Sequence, residues 1–221
     1  MPRDSAHEIH PDQLLKAYTL GYFPMGRRRD DPNVVWVLPD VRGVLVLENA
    51  RAPKKLKKLI AREAFEVRVD AAFGEVIGAC AEPAKGREDT WINDPIEDVY
   101  SELHRRGYAH SVECWREGRL AGGLYGVAIG GAFCGESMFS RETGASKVAL
   151  AHLIARLKLG GFRMLDTQFF TEHLAQFGVA EMPNADYQKL LAASIPIEAD
   201  FSRAPRQLST GSVLQSITQT S

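Results

Sequence analysis

The sequence predicts an α+β protein built on a mixed β-sheet, and three observations carry that prediction. Strand-like runs at residues 109–115, 120–129 and 132–139 follow one another across short turns. A helix-length apolar segment then reaches Leu159, with Val148, Leu150, Leu153, Ile154 and Leu157 on it. A further strand at 162–166 completes a β-β-β-α-β order, and a crossover of that length places its two strands parallel in one sheet.

Each element has a local cause. Residues 11–20 read as a helix, with Pro11 in the first turn, Leu14, Leu15 and Tyr18 on one face and Gly21 as the stop. Strands are expected at 34–38 and 44–47, a basic helix at 53–62, and a strand at 65–69. Residues 71–81 space Phe73, Val76, Ile77 and Cys80 as an amphipathic helix does. A charged loop at 82–89 follows, and Asn93-Asp94-Pro95 opens a helix that ends near Gly107. Arg116-Glu117-Gly118-Arg119 and Gly130-Gly131 supply the turns of an antiparallel meander. Ser146 is the expected cap of the helix that Gly160-Gly161 ends. The segment from Phe201 is rich in Ser, Thr and Gln and reads as disordered, although Val213, Leu214 and Ile217 leave room for docking. The expected division is a small N-terminal α+β domain at 1–62, a main domain at 63–200 and a tail at 201–221.

Composition narrows the function classes. A length of 221 residues supports a real core, and 45% apolar with 25% charged residues is ordinary for a soluble globular chain. A net charge of -1 argues against wrapping nucleic acid through bulk positive charge, so any RNA contact must be a local patch. Cys80, Cys114 and Cys134 are odd in number and lack close pairing, which suggests neither a disulfide framework nor a zinc site, and fits a reducing cytoplasm. The six histidines have no metal-ligand spacing, and no metal is expected. No apolar run approaches the ~20 residues of a membrane span.

Several residues invite a chemical reading. Asp166 ends a strand after a crossover helix, where the carboxyl ends of strands commonly face a ligand crevice, and Gln168 should point the same way if the chain stays extended. The bland alternative is a turn cap beside a solvated glutamine. Glu136 lies in an apolar, glycine-rich strand, where an unpaired charge is expensive, so it requires a partner. Lys54, Lys58 and Arg62 recur at helical spacing as one basic stripe, which is either a solvated face or a phosphate contact. Leu124, Phe133, Met138, Leu150, Leu153 and Leu165 read as ordinary core; strict alternation puts Phe133 and Met138 on opposite faces unless a bulge at Gly135 intervenes. Cys134 reads as a buried thiol, and the glycines at 122, 123, 126, 130 and 131 as tight sheet packing or turns.

The strand order resembles the core of the acetyltransferase-like (GNAT) fold. The stretches Gly122-Gly123-Leu124-Tyr125-Gly126, Phe133-Cys134-Gly135-Glu136-Ser137-Met138-Phe139-Ser140 and Ala145-Ser146-Lys147 closely resemble the signature block of leucyl/phenylalanyl-tRNA-protein transferases. Gly21-Tyr22-Phe23-Pro24, Thr90-Trp91-Ile92, His110-Ser111-Val112-Glu113 and Asp166-Thr167-Gln168 agree in order and spacing. Trp36-Val37-Leu38-Pro39 departs from the family's Trp-Trp-Ser-Pro type segment, and Met25 stands where some members carry Trp.

The resemblance implies transfer of Leu, Phe or, less well, Met from aminoacyl-tRNA to the N-terminal Arg or Lys of acceptor proteins, marking them for degradation in the cytoplasm by a monomer without a cofactor. It implies that Asp166 and Gln168 serve the acceptor amine, with a relay from Asp166 through Gln168 as one mechanism and recognition of a basic acceptor as another. It also implies that Glu136 contacts the aminoacyl-adenosine end or the acceptor, and that Trp91 stacks near the terminal adenosine. Leu124, Phe133, Met138, Leu150, Leu153 and Leu165 would hold the apolar side chain, and Lys54, Lys58 and Arg62 the tRNA acceptor stem. Two other readings compete. Arg141 to Ser146 approximates a coenzyme A pyrophosphate loop, which suggests an acetyl-CoA-dependent N-acetyltransferase. A noncatalytic module binding tRNA or protein N-termini is the other.

Overall fold

The computed structural model describes residues 9–83 and 88–218; part of the loop expected at 82–89 lies outside them. The N-terminal part comprises α1 (Pro11–Thr19) and a two-stranded antiparallel ribbon of β1 (Phe23–Gly26) and β2 (Val34–Val37). The chain then enters a seven-stranded sheet in the order β4-β5-β6-β7-β8-β3-β9. Its strands are β3 (Val41–Val46), β4 (Glu66–Val69), β5 (Ala109–Arg116), β6 (Arg119–Ile129), β7 (Ala132–Ser140), β8 (Met164–Gln168) and β9 (Ala180–Pro183). β3 is hydrogen-bonded between β8 and β9, well before the boundary expected at residue 62.

Neighbouring strands of this sheet run antiparallel except β7 and β8, which pair in parallel across α5 (Ala145–Leu159), as the crossover rule requires. Their pairing covers only Ala132–Cys134 against Met164–Asp166, although β7 continues to Ser140 and β8 to Gln168. The two strands therefore part company just where Glu136 and Gln168 begin.

Each face of the sheet is covered. α5, α2 (Lys54–Ala61) and α8 (Thr210–Ser216) cover one face, and α3 (Phe73–Ala81), α4 (Asp94–Arg105) and α1 pack on the other; the short α6 (Glu172–Ala175) and α7 (Asn184–Ser194) lie around β9 in the chain. α5 is buried on nearly every side, including Val148, Leu150, Leu153, Ile154 and Leu157, because the C-terminal segment packs on the side the sheet leaves open. That segment is ordered through Thr218, contrary to the composition-based expectation: Val213 and Ile217 are fully buried. The fully formed guanidinium clamp of Arg156 secures it, donating to the carbonyls of Phe201, Ala204, Pro205 and Arg206. Two apolar side chains and a satisfied cation outweigh a polar average over the segment.

The cap of α5 also differs from expectation. Gly144 is the capping residue, at φ 89, and Ser146 lies inside the helix. Ser140, at the end of β7, accepts the Ser146 N–H at 3.0 Å, so the strand supplies the cap that the local sequence does not.

Candidate active site

The site begins with a defect in the sheet. Tyr125 pairs with Ser137 and Gly126 with Gly135, which leaves Glu136 as the extra residue of a β-bulge. A Cβ at Gly126 would collide with the Cys134 carbonyl and the Phe133 ring, so glycine is required where the bulged strand leans in. The bulge shifts the alternation by one. Phe133 and Met138 consequently contribute to the same core cluster, while Glu136 turns toward the opposite face, where α1 and α4 lie.

Three side chains from three elements donate to that carboxylate: Tyr18 of α1 at 2.7 Å, Tyr100 of α4 at 2.9 Å and Gln168 of β8 at 3.4 Å. The two tyrosine hydroxyls also touch each other. Burial pushes the Glu136 carboxyl up from 4.5 to about 7, with the Tyr18 and Tyr100 hydrogen bonds pulling it back down. The partner that the sequence demanded of Glu136 is thus a neutral, hydrogen-bonding cage.

Asp166 has different surroundings. Its side chain is fully buried and receives Arg42 in a bidentate pair, Nε at 2.9 Å and Nη2 at 2.7 Å. Tyr187 donates to it at 2.8 Å and the Gln168 backbone N–H at 2.9 Å. Arg42, itself 1% exposed, also donates to the Gly21 carbonyl and lies over the rings of Phe23 and Tyr187. Burial disfavours its charge, but the Asp166 hydrogen bonds and charge hold its pKa above the ordinary value. These contacts occupy both Asp166 oxygens, and no part of its side chain reaches solvent.

Through the Gln168 backbone N–H, Asp166 also holds the turn that follows β8. Gln168 sits at φ 55, a conformation costly to a residue with a Cβ, and the Phe169 N–H closes a tight turn on the Thr167 carbonyl. The extended geometry assumed from the sequence fails there, yet Gln168 still meets Glu136 because the strained turn redirects it.

Behind this corner, Leu124, Phe133, Leu150, Leu153 and Leu165 are buried in one cluster and the partly exposed Met138 packs against it. Trp91 is half-buried ahead of α4, its carbonyl accepting the Gly26 N–H, while Trp36 is 43% exposed on β2. Lys54, Lys58 and Arg62 are exposed along α2, opposite its buried Leu56 and Ile60. Cys134 is buried, and burial pushes its thiol well up, which suits a packing role. The loop from Arg141 to Ser146 has its donors engaged internally, Ala145 N–H on the Glu142 carbonyl and Ser146 N–H on Ser140, so it offers no open phosphate cradle at those positions. Among the described residues no group of His, Cys, Asp and Glu is arranged to hold a metal ion.

The family model described as leucyl/phenylalanyl-tRNA protein transferase matches residues 44–192, and that of the same family's N-terminal domain matches residues 7–40. The chain belongs to the leucyl/phenylalanyl-tRNA protein transferase family. The protein from Maricaulis maris is 50% identical over 95% of this chain and 97% of its own length. That from Phenylobacterium zucineum is 51% identical over 97% and 99%, and that from Rhizorhabdus wittichii 56% identical over 86% and 77%. All three carry the family's name. The transferase accordingly uses aminoacyl-tRNA and an acceptor protein as substrates.

Sequence reasoning did not single out Tyr18, Tyr100, Arg42 and Tyr187 of this transferase as site residues. Tyr18 was legible only as one position on the apolar face of a helix, and Arg42 stood in a turn between two strands. The one usable signal was thermodynamic: a carboxylate in each of two buried strands needs compensating donors, which had to come from elsewhere in the chain.

Proposed function

We propose that this transferase joins Leu, Phe or, less well, Met from aminoacyl-tRNA to the N-terminal Arg or Lys of acceptor proteins, and that the reaction takes place where β7 and β8 separate. The acceptor amine nitrogen attacks the ester carbonyl carbon; a C–N bond forms, the C–O bond to the tRNA 3′ end breaks, and the proton lost by nitrogen ends on that oxygen. An ester needs no further activation, so the protein's task is to orient and to manage one proton.

The observation that carries the reading is Glu136, a bulged carboxylate held by Tyr18, Tyr100 and Gln168 with its pKa pushed to about 7. A base poised near neutrality matches an α-amino group that titrates at about 8. Glu136 receives the ammonium and takes its extra proton, which it later returns to solvent, leaving the free amine whose next proton goes to the leaving oxygen; Gln168 orients the reacting groups; Asp166, paired with Arg42, positions Gln168 from behind. The apolar cluster of Leu124, Phe133, Met138, Leu150, Leu153 and Leu165 takes the aminoacyl side chain, Trp91 the terminal adenosine, and Lys54, Lys58 and Arg62 the acceptor stem.

The parting of two parallel strands after a β-β-β-α-β run supports an acetyltransferase-like (GNAT) sheet, and the position of β3 supports a domain division near residue 40. Charged tRNA is made in the cytoplasm, where the transferase acts as a monomer that commits its products to degradation. The test is transfer of labelled leucine from charged tRNA to Arg- or Lys-starting peptides. Tight binding of charged tRNA with no labelled peptide would remove the catalytic reading.

A further inference from the structure

The turn at Gln168 delivers two phenylalanines to the surface immediately beyond the reaction corner. Phe169 is 49% exposed and Phe170 39% exposed. Phe169 meets the Phe23 ring edge-on at 5.8 Å, and that same ring lies 4.7 Å below the Arg42 guanidinium that pairs with Asp166. The backbone at Phe169 and Phe170 packs so closely over Gly43 that a Cβ there would meet it at 2.6 to 2.7 Å. The Phe169 ring and the backbone at Phe170 are therefore held in place while much of both side chains stays in water, a cost that a soluble chain normally avoids unless something covers them.

We propose that Phe169 and Phe170 form the subsite for the residue following the acceptor's N-terminal residue, favouring an apolar or aromatic side chain at that second position. This rests on the reading of the Glu136 and Gln168 corner as the reaction point. A peptide whose amine meets that corner carries its second side chain about one residue's span away, roughly 3.5 Å along the chain, which is where the sequence next to Gln168 emerges. The alternative occupant of an aromatic surface beside charged tRNA is a nucleotide base. The surrounding charge opposes it: exposed Glu172 follows the pair, and exposed Glu181 pairs in register with Gly43 directly beneath. Carboxylates repel a phosphate backbone and attract a cationic peptide N-terminus. Trp91, the aromatic assigned to adenosine, belongs to another segment, against β1.

The experiment measures steady-state transfer of labelled leucine from Leu-tRNA to peptides that begin with Arg and vary only at the second residue, Phe, Leu, Ala or Asp. The full chain is compared with Phe169→Ala, Phe170→Ala, the double variant, and Phe169→Leu with Phe170→Leu as an apolar control, each checked for an unchanged melting temperature. Wild type should favour Phe over Asp by about tenfold in kcat/KM, the scale on which an apolar contact discriminates, mainly through the peptide KM. The double alanine variant should flatten that series with the KM for Leu-tRNA unchanged, and the leucine variant should restore most of it. The proposal is overturned by a flat wild-type series, by a preference that survives in the double variant, or by a raised KM for Leu-tRNA with the peptide series intact. Wild type that transfers to none of the peptides would bring down the activity reading itself, and the subsite with it.

Discussion

Replacing Glu136 with glutamine keeps the shape of the side chain and removes its charge. In the folded protein burial lifts this carboxyl from 4.5 to about 7. That gap corresponds to about 3 kcal/mol of preference for the protonated form. Because the folded-state pKa is raised, the proton is bound more tightly by the native state. The associated stability is fully present below about 4.5 and is lost as pH rises through about 7. Urea denaturation of wild type and Glu136→Gln at steps from pH 4.5 to 8 should therefore show a stability difference that moves against wild type by about 3 kcal/mol across that range. A constant offset from altered bonds to Tyr18 and Tyr100 leaves this slope intact. In the transfer assay, wild-type kcat/KM should rise through pH 7 as Glu136 ionises, whereas Glu136→Gln should be slower by about 100-fold and keep only the rise set by the acceptor amine near 8. Parallel curves for the two proteins, in stability and in transfer alike, would refute the assignment of a poised base at the bulge.

Arg42→Met leaves Asp166 buried without its cation and should cost about 3 to 5 kcal/mol, whereas the double variant Arg42→Met with Asp166→Leu should recover much of that; equal losses measured by denaturant melts would deny the buried pair its role. Lys54→Ala with Lys58→Ala removes two exposed cations from α2 and should weaken charged-tRNA use with a shallower dependence on salt, read as KM for Leu-tRNA at several ionic strengths; an unchanged salt slope would place the RNA contact elsewhere. Removing residues 209–221 exposes the side of α5 that Val213 and Ile217 cover, and should lower stability by about 3 to 6 kcal/mol in urea; a chain with an unaltered midpoint would show that the segment does not contribute.

The helices and strands were legible where a single face had to be buried. The spacing of Phe73, Val76, Ile77 and Cys80 marked α3 to within two residues, and the short turns before β6 and β7 marked the meander, because period and turn chemistry are local properties. The cap of α5 was misplaced onto Ser146 because Ser140 reaches it from a strand end, and the C-terminal segment looked disordered because the Arg156 clamp comes from 45 or more residues upstream. Identity of the family was legible too, since its signature block is a run of residues rather than an arrangement in space.

What the sequence alone determined is the chemistry available: a carboxylate that had to find donors inside an apolar strand, a strand-end Asp and Gln, and a set of apolar side chains that read as core. Only the tertiary structure decided how those parts divide the work. A one-residue bulge turned Glu136 toward the Tyr18 and Tyr100 hydroxyls, where burial lifts its carboxyl to about 7, while Arg42, 124 residues away in the chain, closed around Asp166. A residue's charge is fixed by its type; the free energy of holding that charge depends on its neighbours, and neighbours are set by packing across the whole chain.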